Sequence, residues 1–249
     1  ARVRSDYWRT CARLFRESYL LQISEWCEKN GLLLTGHPSG ETSLYWHAFQ
    51  MGDFYQFTSA LPIPGIDSIL SKQNMDDPNF SIDAKLIASS AKFAGRRRVM
   101  CETFSGSGWD LTLAEAKRIV NRLMTYGINF FVYMGSYYSL HGARKRLPLC
   151  YPPSHGWNNP LFAFYGLLNA HVARISELSA ESVPAGGVLL LLPMTAMAVE
   201  PGEAARHDAA WHAAAKALLA LNREFDIGFE CLSERMRIRD GRWQIDDFA

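Results

Sequence analysis

The chain has 249 residues, of which 48% are hydrophobic and 20% are charged, and 26 Lys and Arg residues balance 25 Asp and Glu residues. This composition is that of a folded globular protein, and it excludes a disordered tail, a collagen-like repeat and a coiled-coil rod. The formal net charge of +1 argues against a dedicated nucleic-acid-binding protein, which carries an excess of basic residues.

The longest apolar run, residues 187–199, contains Pro193 and is shorter than the roughly 20 apolar residues that span a bilayer. We therefore expect neither a membrane nor a nucleic acid as a partner. The five cysteines are odd in number and include no Cys-x-x-Cys pair, which favours mostly buried thiols over disulfides or a zinc site. The chain begins without Met or an apolar leader, so we expect residues upstream of Ala1. A signal peptide there would make the protein secreted or periplasmic.

Helix and strand patterns alternate along the chain. Apolar residues at steps of three and four predict one helix over the first 30 residues, closed at Gly31. The apolar run 32–35 predicts a short buried strand. Further helices are predicted at residues 45–57, 81–94, 112–126, 161–178 and 204–222, and further strands at residues 60–66, 98–103, 128–134, 188–192 and 225–230. Ser81 is a predicted N-cap, Thr112 and Glu115 form a predicted capping box, and residues 239–242 are predicted to turn a hairpin.

This alternation predicts an α/β fold with parallel strands. Two layouts compete, an open doubly wound sheet and a closed eight-stranded barrel, of which the four strands before residue 135 would be half. The linker-like composition of residues 182–186 predicts a first domain at residues 1–181 and the start of a second, truncated α/β domain at residues 182–249. The long segment 135–159, rich in Pro, Gly and aromatic residues, is typical of an active-site loop.

Polar side chains follow three of the predicted strands, at the ends where α/β enzymes carry their sites. Glu102 is the most informative, because it ends an apolar strand and precedes a glycine-rich turn that contains Trp109. A carboxylate there could attack or stabilise an anomeric carbon, and the indole could stack on a pyranose ring. The alternative is a carboxylate that only hydrogen-bonds a neighbouring loop or an arginine.

Five further residues are candidates for sugar chemistry. His37 and Glu41 share the loop after the first strand, and Asp67 ends the second. They could orient sugar hydroxyls, with Glu41 also a candidate proton donor, or they could only stabilise the loops in which they lie. In the long loop, Tyr138 could line a pocket, and Arg144 could clamp an anion, although a structural role is favoured for the arginine.

The order and spacing of several motifs resemble the large bacterial glycoside hydrolases related to the α-L-rhamnosidases of family 106. The resemblance spans residues 5–195. Its motifs are Trp26-Cys27-Glu28, Thr35-Gly36-His37, Pro64-Gly65-Ile66-Asp67, Ala88-Ser89-Ser90-Ala91, Gly95-Arg96, Val99-Met100-Cys101-Glu102-Thr103-Phe104, Gly108-Trp109-Asp110, Gly127-Ile128-Asn129, Tyr138-Ser139, Gly142 and Arg144-Lys145.

The resemblance implies a (β/α)8 catalytic barrel whose fifth to eighth strands are those of this chain, followed by a flavodoxin-like domain of the β-galactosidase type. Glu102 would end the seventh strand as the nucleophile, or as the general base of an inverting enzyme. The partner acid would lie upstream of Ala1, with Glu41 as the fallback, and the rest of the same polypeptide would complete the barrel. Met134 stands where such proteins often carry a His. The residues themselves indicate no cofactor or metal; the resemblance adds a calcium ion near the sugar, with no ligands assigned.

Together these observations predict a glycosidase that cleaves glycosidic bonds in oligo- or polysaccharides, with α-L-rhamnosides as the implied substrates. The candidate catalytic residues are Glu102 and Glu41, and the candidate sugar contacts are His37, Asp67, Trp109, Tyr138 and Arg144. The alternative is a non-catalytic carbohydrate-binding protein built on a degenerate barrel. A third hypothesis is a metal-dependent α/β hydrolase that uses His37, Glu41 and Asp67.

Overall fold

The computed structural model describes residues 1–40, 43–142, 151–182, 187–239 and 242–245. The helices are α1 (Arg2–Phe15), α2 (Leu21–Lys29), α3 (Leu44–Gln50), α4 (Phe54–Thr58), α5 (Ser71–Asn74), α6 (Pro78–Phe93), α7 (Leu113–Thr125), α8 (Tyr165–Ala180), α9 (Met194–Val199) and α10 (Ala204–Ala220). The strands are β1 (Thr35–Gly36), β2 (Ile63–Ser68), β3 (Met100–Thr103), β4 (Phe130–Tyr133), β5 (Leu189–Leu192), β6 (Asp226–Phe229), β7 (Met236–Arg239) and β8 (Arg242–Ile245). The predicted α/β class is confirmed.

Strands β1 to β4 form a parallel sheet in chain order, β1-β2-β3-β4. The sheet is curled like half of a barrel, as expected when each strand feeds a crossover helix that packs on its outer face. Ile66 on β2 and Cys101 on β3 point to that face and are 1% and 0% exposed. Ile87 on α6 and Ile119 on α7 belong to the same hydrophobic core. The face of the sheet that packs on the helices is therefore shielded from water.

The predicted N-terminal helix is confirmed, with one irregularity. A π-helical turn at Arg16–Leu20 joins α1 to α2, and the helix ends before Gly31, which has a φ of +71°. The next predicted helix, residues 45–57, is wrong as one element. Gly52 has a φ of +78°, and Asp53 starts a new helix by accepting a hydrogen bond from the Gln56 backbone N–H at 2.8 Å. Among the described helices, none is long and apolar enough to cross a membrane.

Helix α6 begins earlier than predicted, so the N-cap assigned to Ser81 is wrong. Asp77 is the N-cap and accepts a hydrogen bond from the Asn79 backbone N–H at 2.8 Å, with Pro78 in the first turn. Ser81 is fully buried inside the helix. In contrast, the capping box before α7 is confirmed, because Thr112 and the third helical residue each accept from the other's backbone.

Strands β5 and β6 form a separate parallel pair, and β7 and β8 form the predicted antiparallel hairpin, whose turn lies outside the described residues. Helices α9 and α10 connect β5 to β6, which gives one strand–helix–strand unit of the predicted second domain. This unit packs on α6, where the Ile227 backbone N–H donates to Ser89 Oγ at 2.9 Å. The domain boundary at residues 181–182 stays a prediction.

The cysteine prediction is only partly correct. None of the four described cysteines is in a disulfide. Cys101 is buried, but Cys11 and Cys27 are half-buried and Cys231 is exposed. Cys11 and Cys27 lie in the surface helices α1 and α2, and Cys231 lies in the turn after β6. At these positions the apolar pattern does not require full burial.

Candidate active site

The carboxyl edge of the four-stranded sheet brings together three of the residues that the sequence singles out. His37 follows β1, Asp67 lies on β2 and Glu102 lies on β3. Since these strands are parallel neighbours, their carboxyl ends meet at one edge. Asp67 and Glu102 are paired in register, so their side chains leave the same face of the sheet on strands about 4.8 Å apart.

A hydrogen bond joins His37 to Glu102 over the intervening strand β2. His37 Nε2 lies 3.2 Å from Glu102 Oε2, and the two side chains are 28% and 24% exposed. On the other side of the ring, His37 Nδ1 lies 2.7 Å from the carbonyl oxygen of Pro38. A carbonyl oxygen can only accept, so Nδ1 carries a hydrogen and donates it.

One hydrogen lies between His37 Nε2 and Glu102 Oε2 in this contact. The hydrogen bond is at a position that solvent reaches. A proton held in this way beside a bound substrate is what general acid–base catalysis needs.

The loops after β2 and β3 are tied together at the same edge. The Leu70 backbone N–H donates to the Ser105 carbonyl oxygen at 2.7 Å. Lys72 Nζ lies 2.7 Å from Asp110 Oδ2, and this hydrogen bond lowers the pKa of the Asp110 carboxyl group. These contacts fix both flanks of the glycine-rich turn that precedes Trp109.

The loop after β4 is anchored by His155. Its backbone N–H donates to the Gly135 carbonyl oxygen at 2.9 Å, and its Nδ1 lies 2.8 Å from the Tyr165 hydroxyl group. The ring packs against Phe104 and Tyr133 at centroid distances of 5.5 and 5.8 Å. Burial lowers the pKa of His155 to about 4 and raises the pKa of Tyr133 to about 12. Both side chains are therefore neutral at pH 7 and serve as structural anchors.

Aromatic side chains lie on the loop after β3 and on the loop after β4. Trp109 is 48% exposed and meets Tyr137 edge to face at a centroid distance of 5.7 Å. Tyr138, the predicted sugar contact, is 80% exposed, whereas Tyr137 is only 5% exposed. The structure thus places Trp109 and Tyr138 at the solvent side of the edge, with Tyr137 buried beside the indole.

Two predicted site residues, Glu41 and Arg144, lie outside the described residues. Their assigned roles, as the fallback acid and as a sugar contact, remain predictions.

Sequence reasoning missed Lys72 and His155, and it left pocket lining and packing open for Tyr137. The active-site loop predicted at residues 135–159 contains Tyr137 and His155, so their region is found but not their roles. Those roles depend on contacts with Trp109 and Tyr165. Lys72 leaves no local signal, because its partner Asp110 is 38 residues away in the chain.

A large cavity lies at the opposite end of the sheet. It has a volume of about 800 Å³ and is lined by residues that precede β3, β4 and β6, together with the end of α6. Two of its lysines are in ion pairs, Lys85 with Glu224 at 2.6 Å and Lys92 with Asp226 at 2.7 Å. These pairs connect α6 to β6, which is a structural role.

The calcium ion implied by the resemblance stays an expectation. Calcium takes six to eight oxygen ligands, usually with several carboxylates among them. The described residues contain no group of three or more His, Cys, Asp or Glu side chains that could hold a metal ion.

Comparison with known proteins supports the fold. No protein-family model matches the chain, and no curated protein sequence matches it. The chain is similar in structure to a rhamnosidase from Novosphingobium sp. PP1Y, with a TM-score of 0.65 and 16% sequence identity. The likeness covers 98% of this chain but 22% of that one. The chain therefore shares the fold of about a fifth of a rhamnosidase.

Proposed function

We propose that this chain is the carboxyl-terminal half of a glycosidase barrel and that it cleaves glycosidic bonds in oligo- or polysaccharides. The observation that carries the proposal is the contact of Glu102 with His37 at the carboxyl edge of a parallel half-barrel. The similarity of fold to a rhamnosidase supports it. We propose α-L-rhamnosides as the substrates.

In the proposed reaction, Glu102 acts on the anomeric carbon through an oxocarbenium-like transition state. It attacks as the nucleophile, or it deprotonates the attacking water if the enzyme inverts configuration. His37 orients the carboxylate through the hydrogen bond of its Nε2. The second carboxyl group, which protonates the leaving oxygen, comes from the remainder of the polypeptide, with Glu41 as the fallback. The proposed sugar contacts are Asp67, Trp109, Tyr138 and Arg144 together with His37.

The rest of the same polypeptide is proposed to complete the barrel. Phe130 and Val132 on β4 are 38% and 40% exposed, although both lie on the face that turns inward in a closed barrel. Leu32 and Leu33, just before β1 at the other edge, are 53% and 67% exposed. Additional strands beside β4 and β1 would remove these apolar side chains from water.

A non-catalytic carbohydrate-binding protein is the second candidate. The observation that favours it is the same hydrogen bond, because a carboxylate held by a histidine can bind a hydroxyl group without attacking a bond. Turnover separates the two candidates.

The test is hydrolysis of a panel of aryl glycosides, α-L-rhamnoside included, by the intact polypeptide and by its Glu102→Gln variant. The amide cannot act as nucleophile or base, so we expect kcat to fall by roughly 10³-fold or more, a barrier change of about 4 kcal/mol. Glu177→Gln is the matched control, because Glu177 on α8 is 66% exposed and pairs with Arg98, which lies before β3 and therefore away from the carboxyl edge.

Full activity in the Glu177→Gln variant and loss in the Glu102→Gln variant would support the proposal. Activity that survives Glu102→Gln would transfer the chemistry to another carboxylate. Sugar binding without turnover by the unmodified protein would favour the carbohydrate-binding alternative.

A further inference from the structure

We infer that Trp157 forms a sugar-binding surface with Trp109 and Tyr138, and that this aromatic rim holds the saccharide units beyond the bond that is cleaved. The inference rests on the proposed function and deepens it, since it names substrates longer than a single glycosylated unit. Trp157 lies in the loop after β4 and is 74% exposed. The other two members of the aromatic rim are 48% and 80% exposed.

The backbone around Trp157 is fixed although its side chain is in solvent. The residues on either side of the turn, His155 and Asn159, are each 7% exposed. The Asn159 backbone N–H donates to the Gly156 carbonyl oxygen at 2.9 Å, and Asn159 Nδ2 donates to the Ser154 carbonyl oxygen at 2.7 Å. A tight, buried turn therefore carries the exposed indole.

The same turn is bonded to the segment that carries Tyr138. Asn158 Nδ2 donates to the Tyr137 carbonyl oxygen at 3.0 Å, and Tyr137 in turn contacts Trp109. Tyr137 thus connects the segments that carry the three exposed rings.

The aromatic rim lies on the edge of the sheet that carries Glu102. The Met134 backbone N–H donates to the Thr103 carbonyl oxygen, the residue after Glu102, at 3.0 Å. The next residue, Gly135, accepts from His155, two positions before Trp157. Glu102 is 24% exposed, and the rings of the aromatic rim are more exposed than this carboxylate. A terminal sugar at Glu102 would direct the rest of its chain outward past them.

A saccharide fits this surface better than a protein does. Pyranose rings offer an apolar C–H face to an aromatic ring and hydroxyl edges to water, and the indole and phenol rings combine an apolar body with a polar tip. Fixed rings lose little conformational entropy on binding. A protein partner needs an interface of about 1,000 Å², which three rings on two loops do not provide.

The test measures binding of two probes to the intact polypeptide by calorimetry. One probe is methyl α-L-rhamnoside, and the other is a tetrasaccharide with an α-L-rhamnosyl non-reducing end. The background is Glu102→Gln, so that neither probe is consumed. We expect Trp157→Ala to weaken tetrasaccharide binding by about tenfold and to leave methyl α-L-rhamnoside binding unchanged. Trp157→Phe should retain most of the affinity. Trp26→Ala is the control, because Trp26 is 61% exposed on α2.

Unchanged tetrasaccharide binding in Trp157→Ala would overturn the inference, as would an equal loss for both probes or binding of neither probe by the unmodified polypeptide. If aryl rhamnosides are hydrolysed and Trp157→Ala does not change tetrasaccharide binding, the inference about the aromatic rim is wrong and the proposed function is supported. If Trp157→Ala weakens tetrasaccharide binding but no substrate is hydrolysed, the inference about the aromatic rim is supported and the proposed function is contradicted.

Discussion

The two ends of the four-stranded sheet use charged residues in opposite ways. At the amino end, a cavity of about 800 Å³ is lined by lysines in close ion pairs with the segment at β6. At the carboxyl edge, His37 and Glu102 are joined by a hydrogen bond while both remain partly open to solvent. The ion pairs at the amino end are structural contacts, whereas the carboxyl edge is where we propose the reaction.

The strongest way to break this comparison is to remove a charge at the amino end. The Lys92 and Asp226 side chains are 9% and 12% exposed, so Asp226→Asn leaves a lysine facing an amide in a nearly dry site. We expect a loss of about 3–5 kcal/mol in the free energy of unfolding, measured by urea denaturation, with kcat of the folded enzyme unchanged. In contrast, the Arg118–Asp76 pair is 62% and 68% exposed, so Asp76→Asn should cost less than about 1 kcal/mol. A fall in kcat for Asp226→Asn would show that the amino end takes part in the reaction.

The second effect should appear at the carboxyl edge. His37→Gln replaces the imidazole beside Glu102 by an amide, which cannot exchange a proton at neutral pH. We expect kcat/KM for an aryl rhamnoside to fall by about 10²-fold and the pH dependence of the remaining activity to lose one limb. The free energy of unfolding should change little, because His37 is partly exposed. An unchanged pH profile would contradict this role of the imidazole.

A smaller effect should follow acidification. Burial holds the pKa of His155 at about 4, below its ordinary value of 6.5. In the unfolded chain, His155 therefore binds a proton below about pH 6.5, whereas in the folded chain it binds one only below about pH 4. The free energy of unfolding therefore decreases as the pH falls from 6.5 to about 4. At pH 5 the loss should be about 2 kcal/mol relative to pH 7. Urea denaturation at both pH values measures it, and His155→Gln should flatten the dependence. An equally steep dependence in that variant would assign the effect to other groups.

Much of the site could be predicted from the sequence because its residues follow strands in chain order. His37, Asp67 and Glu102 each end an apolar run, and the sheet order equals the chain order, so their convergence follows from parallel pairing. The contact of His37 with Glu102 over β2 could not be predicted, because no local sequence pattern indicates which side chain extends over the middle strand.

The failures have local and non-local causes. Gly52 divides a predicted helix because a glycine at positive φ looks, in sequence, like any tolerated glycine. Asp77 displaced Ser81 as the N-cap because the Asp-Pro signal lies four residues earlier. The anchoring role of His155 depends on Phe104, 51 positions away in the numbering, and such packing leaves no periodic trace.

The shortness of β1 has a consequence for the timescale of the site. β1 pairs with β2 through only two residues, Thr35 with Ile63 and Gly36 with Pro64. Few backbone hydrogen bonds therefore hold the segment that ends in His37, and local opening there costs much less free energy than global unfolding. The histidine can leave and rejoin Glu102 by fraying of its own strand, while β3 keeps the carboxylate in place.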